Sequence, residues 1–94
     1  MESSSWVINP TFNAPMAVMT QEQKTIFSRA FSRLTGSRYQ PLIYMGYQLV
    51  YGYNHKYIAL QHLDTPELAP QLVEIIIYQP LEGEPAIREV RMLN

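Results

Sequence analysis

The chain has 94 residues, of which 47% are hydrophobic, and it carries no cysteine and a formal net charge of −1 at pH 7. This length suffices for one domain with a modest core, which we expect to cover residues 1–94 with residues 1–5 flexible. The balanced charge argues against binding to nucleic acid or to an anionic membrane, and the absence of cysteine excludes disulfides and thiolate catalysis.

The first predicted elements are a short apolar strand at residues 6–8 and an amphipathic helix over residues 20–35. Thr20 and Gln23 have the spacing of a capping box, and Gly36 suits the left-handed conformation that ends many helices. The apolar face of this helix follows the helical period and consists of Ile26, Phe27, Ala30, Phe31 and Leu34.

Strand-forming residues dominate the rest of the chain, with predicted strands over residues 39–51, 55–63, 72–78 and 86–93. Turns are predicted at Gly52 to Asn54 and at residues 79–85, and Gly46 indicates a bulge or bend within a strand. Strict alternation in the last strand places Ile87 and Glu89 on the same face. Because consecutive strands joined by turns pair antiparallel, the sequence predicts an α+β domain with one helix on one face of the sheet.

No set of residues predicts a catalytic site, a metal site or a cofactor site, so we do not expect an enzyme. His55 and His62 are seven residues apart on one predicted strand, which puts them on opposite faces, and we interpret each as a surface histidine. Glu82 and Glu84 are interpreted as charged turn residues that keep the loop soluble. The N-terminal residues lack the pattern of a signal peptide, which favours the cytoplasm; secretion is the alternative if a signal peptide had been removed.

Two predicted hairpin tips are unusual in their residues. In a helix-then-meander topology alternate turns lie at the same end of the sheet, so the tip around residues 48–52 should adjoin the tip around residues 80–83. Tyr51 and Tyr53 flank the first turn. Two interpretations remain open: the tyrosines form an exposed recognition surface, or they fold back over the sheet as ordinary packing.

The first of these tips carries a resemblance to a known family. Gln48-Leu49-Val50-Tyr51-Gly52 resembles the Gln-x-Val-x-Gly motif of the cystatins, which inhibit papain-like cysteine peptidases. The segment from Gly52 to Asn54, followed by Tyr57-Ile58, is similar to the run that opens the next cystatin strand. The order of elements over residues 6–93 also resembles that of cystatins, and the lack of cysteine is most similar to the stefin branch.

This resemblance implies a cystatin-like fold, with one N-terminal helix packed on a curved antiparallel sheet of four to five strands. It implies a reversible competitive inhibitor, whose partner is a papain-like cysteine peptidase and which blocks the active-site cleft with three segments. The first loop would be Gln48, Leu49, Val50, Tyr51 and Gly52. The second loop would be Pro80, Leu81, Glu82 and Gly83, and the N-terminal arm would be Ile8, Asn9 and Pro10.

Two departures from the family pattern keep alternatives open. No glycine precedes the helix, and the second loop lacks the Pro-Trp pair of secreted cystatins. The first alternative is a non-inhibitory binding or scaffold module, and the second is a small-ligand carrier or enzyme with a pocket between helix and sheet. Large apolar residues (Phe27, Phe31, Ile75 and Ile77) are expected to fill such a pocket. We expect a monomer, with a domain-swapped dimer through an opened first hairpin as the alternative.

Overall fold

The computed structural model describes residues 5–9, 18–32, 34, 38–65 and 67–93. In chain order its elements are β1 (Trp6–Ile8), α1 (Gln21–Ala30), β2 (Arg38–Val50), β3 (Gly52–His62), β4 (Gln71–Gln79) and β5 (Ala86–Met92). The five strands form one sheet in which each strand pairs antiparallel with the next. The predicted α+β domain, with one helix on an antiparallel sheet, is confirmed. No helix in these ranges has the length and apolar character needed to cross a membrane.

The start of α1 follows from local sequence. The Thr20 hydroxyl accepts a hydrogen bond from the Gln23 amide at 3.1 Å, and the Gln23 side chain accepts one from the Thr20 amide at 2.9 Å, so the predicted capping box is confirmed. The predicted end at residue 35 is wrong, because α1 ends at Ala30. Beyond it, the amides of Ser32 and Leu34 bond only three residues back, and Leu34 is exposed. The predicted cap at Gly36 lies outside the described residues.

The turn of the first hairpin is tighter than predicted. Only Tyr51 separates β2 from β3, and Gly52 and Asn54 already belong to β3. Asn54 is buried, donates from Nδ2 to the Gln48 side chain at 3.0 Å, and accepts a hydrogen bond from Arg88 at 3.2 Å. These partners hold Asn54 in the strand, against its ordinary preference for turns.

The bulge predicted at Gly46 is confirmed. The register between β2 and β3 shifts between Tyr44 and Gly46, and Gly46 has a φ of +150°. A Cβ atom on Gly46 would lie only 2.1 Å from the carbonyl oxygen of Val7, so the absence of a side chain lets β1 approach β2 closely. Gly46 thereby fixes where the N-terminal strand can dock.

A second bulge corrects the alternation predicted for the last strand. Ile77 pairs with Ile87, whereas the adjacent Ile76 pairs with Glu89, so β5 carries one extra residue here. Glu89 and Ile87 therefore lie on opposite faces, and Val90 returns to the face of Ile87. The bulge keeps apolar side chains of β5 on the face that α1 covers.

The core lies between α1 and the middle of the sheet. It consists of Ile26, Phe27, Tyr44, Tyr57, Ala59, Val73, Ile75 and Ile77. Tyr57 is fully buried; its ring meets that of Phe27 at a centroid distance of 5.0 Å, and its hydroxyl donates to the Gln23 carbonyl at 2.6 Å. Because the core occupies the centre of the sheet, the hairpin ends project beyond it.

The face of the sheet opposite α1 carries a group of interacting charged side chains. Glu74 on β4 accepts from Arg91 of β5 at 2.8 Å and lies 3.8 Å from the ammonium of Lys56 on β3. The Lys56 ammonium also lies 4.4 Å from the ring centroid of Trp6 on β1. Side chains of β1, β3, β4 and β5 are thus connected across this face.

The outer strands leave parts of the sheet edge uncovered. β1 pairs only with residues 46–48 of β2, and the Asn9 amide beyond it donates to the Met45 carbonyl at 2.9 Å. No described residue pairs with residues 38–43 on that side, a stretch that contains Pro41. β5 forms the opposite edge and is mostly exposed.

Candidate functional site

The tips of the two hairpins are in direct contact. Gly52 is buried, and a Cβ atom there would lie 2.5 Å from the carbonyl oxygen of Gln79, at the start of the second loop. The Tyr78 hydroxyl donates a hydrogen bond to the carbonyl oxygen of Tyr51 at the first tip. The structure therefore brings the two predicted loops together at one end of the sheet.

This end of the sheet presents apolar side chains to solvent. Tyr51 is 83% exposed, Leu81 is 64% exposed and Leu49 is 46% exposed. Between the tips lies a groove of about 350 Å³, lined by Tyr51, Tyr78, Pro80, Leu81 and Glu82. We call the exposed surface of residues 49–51 and 80–82 the tip edge. An exposed apolar surface of this kind is typical of a recognition site.

The residues of the first loop divide into two structural roles. Gln48 accepts a hydrogen bond from Asn54 across the hairpin, and Gly52 provides the close approach to the second loop. Leu49 and Tyr51 point outward and Val50 is half-buried. The loop is thus held rigidly from behind while its exposed side chains remain accessible.

The two tyrosines of the first hairpin differ in their surroundings. Tyr51 is exposed at the tip, as the recognition interpretation requires. Tyr53 packs edge-to-face on Tyr47, with ring centroids 5.8 Å apart, and stacks on His55 at 5.7 Å. Tyr53 therefore follows the packing interpretation, although part of its ring is exposed.

The predicted arm residues lie elsewhere. Ile8 pairs with Gly46 and Trp6 pairs with Gln48, so β1 runs away from the hairpin tips. Ile8 and Asn9 consequently lie farther along β2 from the first tip than Trp6 does, whereas Asn9 lines one cavity together with Pro80 and Leu81 of the second loop. Pro10 lies outside the described residues.

His55 is not the surface residue that the sequence predicted. It is only 7% exposed, its Nδ1 accepts from the Tyr44 hydroxyl at 2.7 Å, and its Nε2–H donates to the Gln79 side-chain oxygen at 2.8 Å. A signal for this burial was present, because His55 is two residues before Tyr57 and strand alternation puts both on the helix-covered face. His62 lies at the end of β3 and bonds to Gln40 at 3.2 Å.

Burial fixes the protonation of this hydrogen-bonded pair. Removal from water lowers the pKa of His55 below its ordinary value of 6.5, against smaller opposing effects of the Gln79 hydrogen bond and the Glu22 charge. Burial also raises the pKa of the Tyr44 hydroxyl. At neutral pH His55 is therefore uncharged and Tyr44 keeps the proton that it donates.

The lowered pKa of His55 predicts an acid-dependent loss of stability. As pH falls below about 6.5, the unfolded chain protonates this histidine while the folded chain does not, so the free energy of unfolding decreases by up to about 1.4 kcal/mol per pH unit. The decrease stops once pH falls below the pKa of folded His55. Urea unfolding at pH 7.5 and 5.5 measures this decrease in the free energy of unfolding. A His55→Gln variant should lose the part of the decrease that comes from His55.

His62→Gln is the matched control for that experiment, because it removes a histidine from the same strand and keeps His55. This variant should keep the component of the pH dependence that belongs to His55. An equal pH dependence in His55→Gln and the unchanged protein would contradict the role assigned to His55.

The fold and site define an α+β protein with a rigid, apolar tip edge formed by two adjoining hairpins. In the described ranges, no cluster of three or more His, Asp or Glu residues could hold a metal ion. Comparison of the chain with models of protein families, with curated proteins and with solved structures finds no match.

Proposed function

We propose that this protein is a reversible competitive inhibitor of papain-like cysteine peptidases, and that the tip edge enters the active-site cleft of the enzyme. The observation that carries the proposal is the position of the Gln48–Gly52 motif. It lies at the tip of a hairpin and is fastened to the second loop through Gly52 and Tyr78.

The fold is consistent with a cystatin-like arrangement, which is part of the proposal. A short strand precedes one helix, four antiparallel strands follow, and the sheet order equals the chain order. This topology places alternate turns at one end of the sheet, as a two-loop inhibitor needs.

The proposed inhibition depends on the fixed conformation of the tip edge. A preorganised surface loses little conformational entropy on binding, so the exposed Leu49, Tyr51 and Leu81 can contribute their apolar area to affinity. The first loop is the tight end of a hairpin whose strands pair up to Val50 and Gly52. Its backbone cannot extend along a cleft as a substrate does, so the peptidase is blocked without cleaving the loop.

Titration against papain with a peptide substrate tests this function. We expect competitive inhibition, and we expect Val50→Asp to weaken it by about 30-fold or more. The reason is that a carboxylate would be placed without a partner in an apolar contact, which costs about 2 kcal/mol or more. Leu49→Asp places the same charge on a more exposed residue and should also weaken inhibition while the protein stays folded.

Leu72→Asp is the matched control, since Leu72 is 45% exposed and Leu49 is 46% exposed. Leu72 lies roughly 23 Å along β4 from Gln79, away from the tip edge. The Leu72→Asp variant should therefore inhibit papain as strongly as the unchanged protein does. No inhibition by the unchanged protein at micromolar concentration, or equal loss in Leu49→Asp and Leu72→Asp, would refute the proposal.

A second candidate function is a binding or scaffold module that recognises a different protein through the tip edge. The observation that favours it is that β1 runs away from the first tip, so that Ile8 does not join residues 49–51 at the tip edge. A protein partner other than a peptidase, recovered by affinity capture and lost on Tyr51→Ala, together with failed papain inhibition, would support this candidate.

A further inference from the structure

A cavity lies between the start of α1 and the helix-covered face of the sheet. Its volume is about 660 Å³ and it is open to solvent. The sheet contributes Tyr44, Tyr47, Tyr53 and His55, and Glu22 of α1 and Leu81 of the second loop also line it. Cavities of this size accommodate small molecules. We call it the tyrosine cavity; it is the kind of pocket that the carrier alternative required.

Aromatic rings form a continuous surface in this cavity. Tyr47 and Tyr53 meet at an interplanar angle of 70°, and Tyr53 stacks on His55 with an angle of 17°. Tyr44 continues the row, with its ring centroid 5.7 Å from that of His55. The faces of such rings carry negative electrostatic potential and attract cations.

The charge of the cavity has the same sign as the ring faces. Glu22 lines the cavity, no Lys or Arg among the described residues does, and His55 is neutral for the reasons given above. The charge of Glu22 also acts on both Tyr44 and His55, which indicates that its field reaches the aromatic rings. A cation entering the tyrosine cavity therefore meets a carboxylate and no opposing positive side chain in the described lining.

The hydrogen-bonding groups restrict the kind of cation. The Tyr44 hydroxyl hydrogen and the Gln79 side-chain oxygen are already engaged by the two nitrogens of His55. A primary ammonium needs acceptors for three N–H groups, and the Gln79 side-chain oxygen already accepts one hydrogen bond. A methylated ammonium needs none, since it binds through ring faces and charge alone. An anion is disfavoured, because the capping box of Thr20 and Gln23 already occupies amides at the helix start.

We propose that the tyrosine cavity binds a small quaternary ammonium compound, with its trimethylammonium group against the rings of Tyr44, Tyr47 and Tyr53 and beside the carboxylate of Glu22. This site adjoins the tip edge at Pro80 and Leu81 but is built from other side chains, and the proposal does not depend on peptidase inhibition. It would give the protein a small-molecule ligand in addition to a protein partner.

Choline and its neutral isostere 3,3-dimethylbutan-1-ol test the proposal, because they differ in whether nitrogen or carbon bears the three methyl groups. NMR titration of the full chain should show saturable shifts of the Tyr47, Tyr53 and His55 ring signals with choline. The affinity for the isostere should be lower by about tenfold or more, since the isostere lacks the charge. Equal binding of the two compounds, or no saturable shift up to roughly 10 mM choline, would overturn the proposal.

Variants separate charge from shape. Glu22→Gln should weaken choline binding about fivefold or more and leave the isostere unaffected, and Tyr47→Leu should weaken choline binding through loss of a ring face. Glu89→Gln on β5 makes the same charge change outside the cavity and should bind choline as the unchanged protein does. Equal weakening by Glu22→Gln and Glu89→Gln would show a general effect of net charge and refute the site. Papain inhibition of the same samples reports separately on the tip edge.

Discussion

Gly52→Ala is expected to lower the free energy of unfolding by about 3 kcal/mol or more and to separate the two hairpin tips. Gly52 has a φ of +112°, which alone costs another residue about 1 kcal/mol or more. Its new Cβ would lie 2.5 Å from the Gln79 carbonyl oxygen and 3.2 Å from the Pro80 Cα atom. Both contacts are to backbone, which cannot move aside cheaply, so the overlap adds about 1–3 kcal/mol.

Gly83→Ala isolates the contribution of the backbone conformation. Gly83 has a nearly equal φ of +110°, but its new Cβ would meet only the Pro80 Cγ atom at an ordinary 3.7 Å. Its loss of stability should be about 1 kcal/mol. Urea unfolding of both variants measures the difference. Under the proposed function, papain titration should also show the larger loss of inhibition for Gly52→Ala. Equal destabilisation of the two variants would contradict the close approach of the tips as the cause.

Gly46→Ala is expected to detach β1 from the sheet. The new Cβ would lie 2.1 Å from the Val7 carbonyl oxygen and 3.1 Å from the Ile8 Cα atom, at a φ of +150°. Since β1 is only three residues long, releasing it relieves the overlap at less cost than moving β2. We expect stability to fall by about 2–3 kcal/mol through the strain and the lost strand pairing.

Fluorescence can follow this detachment, because Trp6 is the single tryptophan of the chain and lies on β1 beside Lys56. Its emission should shift to longer wavelength and its quenching by acrylamide should increase, while the far-UV signal of α1 persists. The matched comparison is again Gly83→Ala, which should leave the emission unchanged. Unaltered Trp6 emission in Gly46→Ala would mean that β1 tolerates the new side chain, against this prediction.

Local signals predicted the parts of the fold that local interactions determine. The capping box of Thr20 and Gln23 specifies the start of α1, and the isolated Gly46 within a run of strand-forming residues indicates the bulge. The end of α1 was not predictable in this way. Phe31 continues the apolar stripe, but its ring packs on Tyr39 from the cap position, so the stripe extends beyond the helix itself.

Long-range partners account for the remaining differences. Asn54 reads as a turn residue until its bonds to Gln48 and Arg88 are known, and those residues lie on other strands. The alternation of side chains along β3 predicts the face of the sheet on which His55 lies. The burial of His55 depends, in addition, on where α1 crosses the sheet. The contact of the two tips follows from topology, whereas the tyrosine cavity depends on the position of the helix start over β2 and β3, which no sequence period specifies.

The uncovered edges of the sheet have a consequence for behaviour at high concentration. Exposed strand edges can recruit strands from other molecules and so begin aggregation. Here β5 carries the charged residues Arg88, Glu89 and Arg91 and a bulge. β1 is only three residues long, and the open stretch of β2 contains Pro41, which has no amide hydrogen. Each edge therefore opposes strand addition by a different means, and we expect the protein to remain soluble at high concentration without forming fibrils.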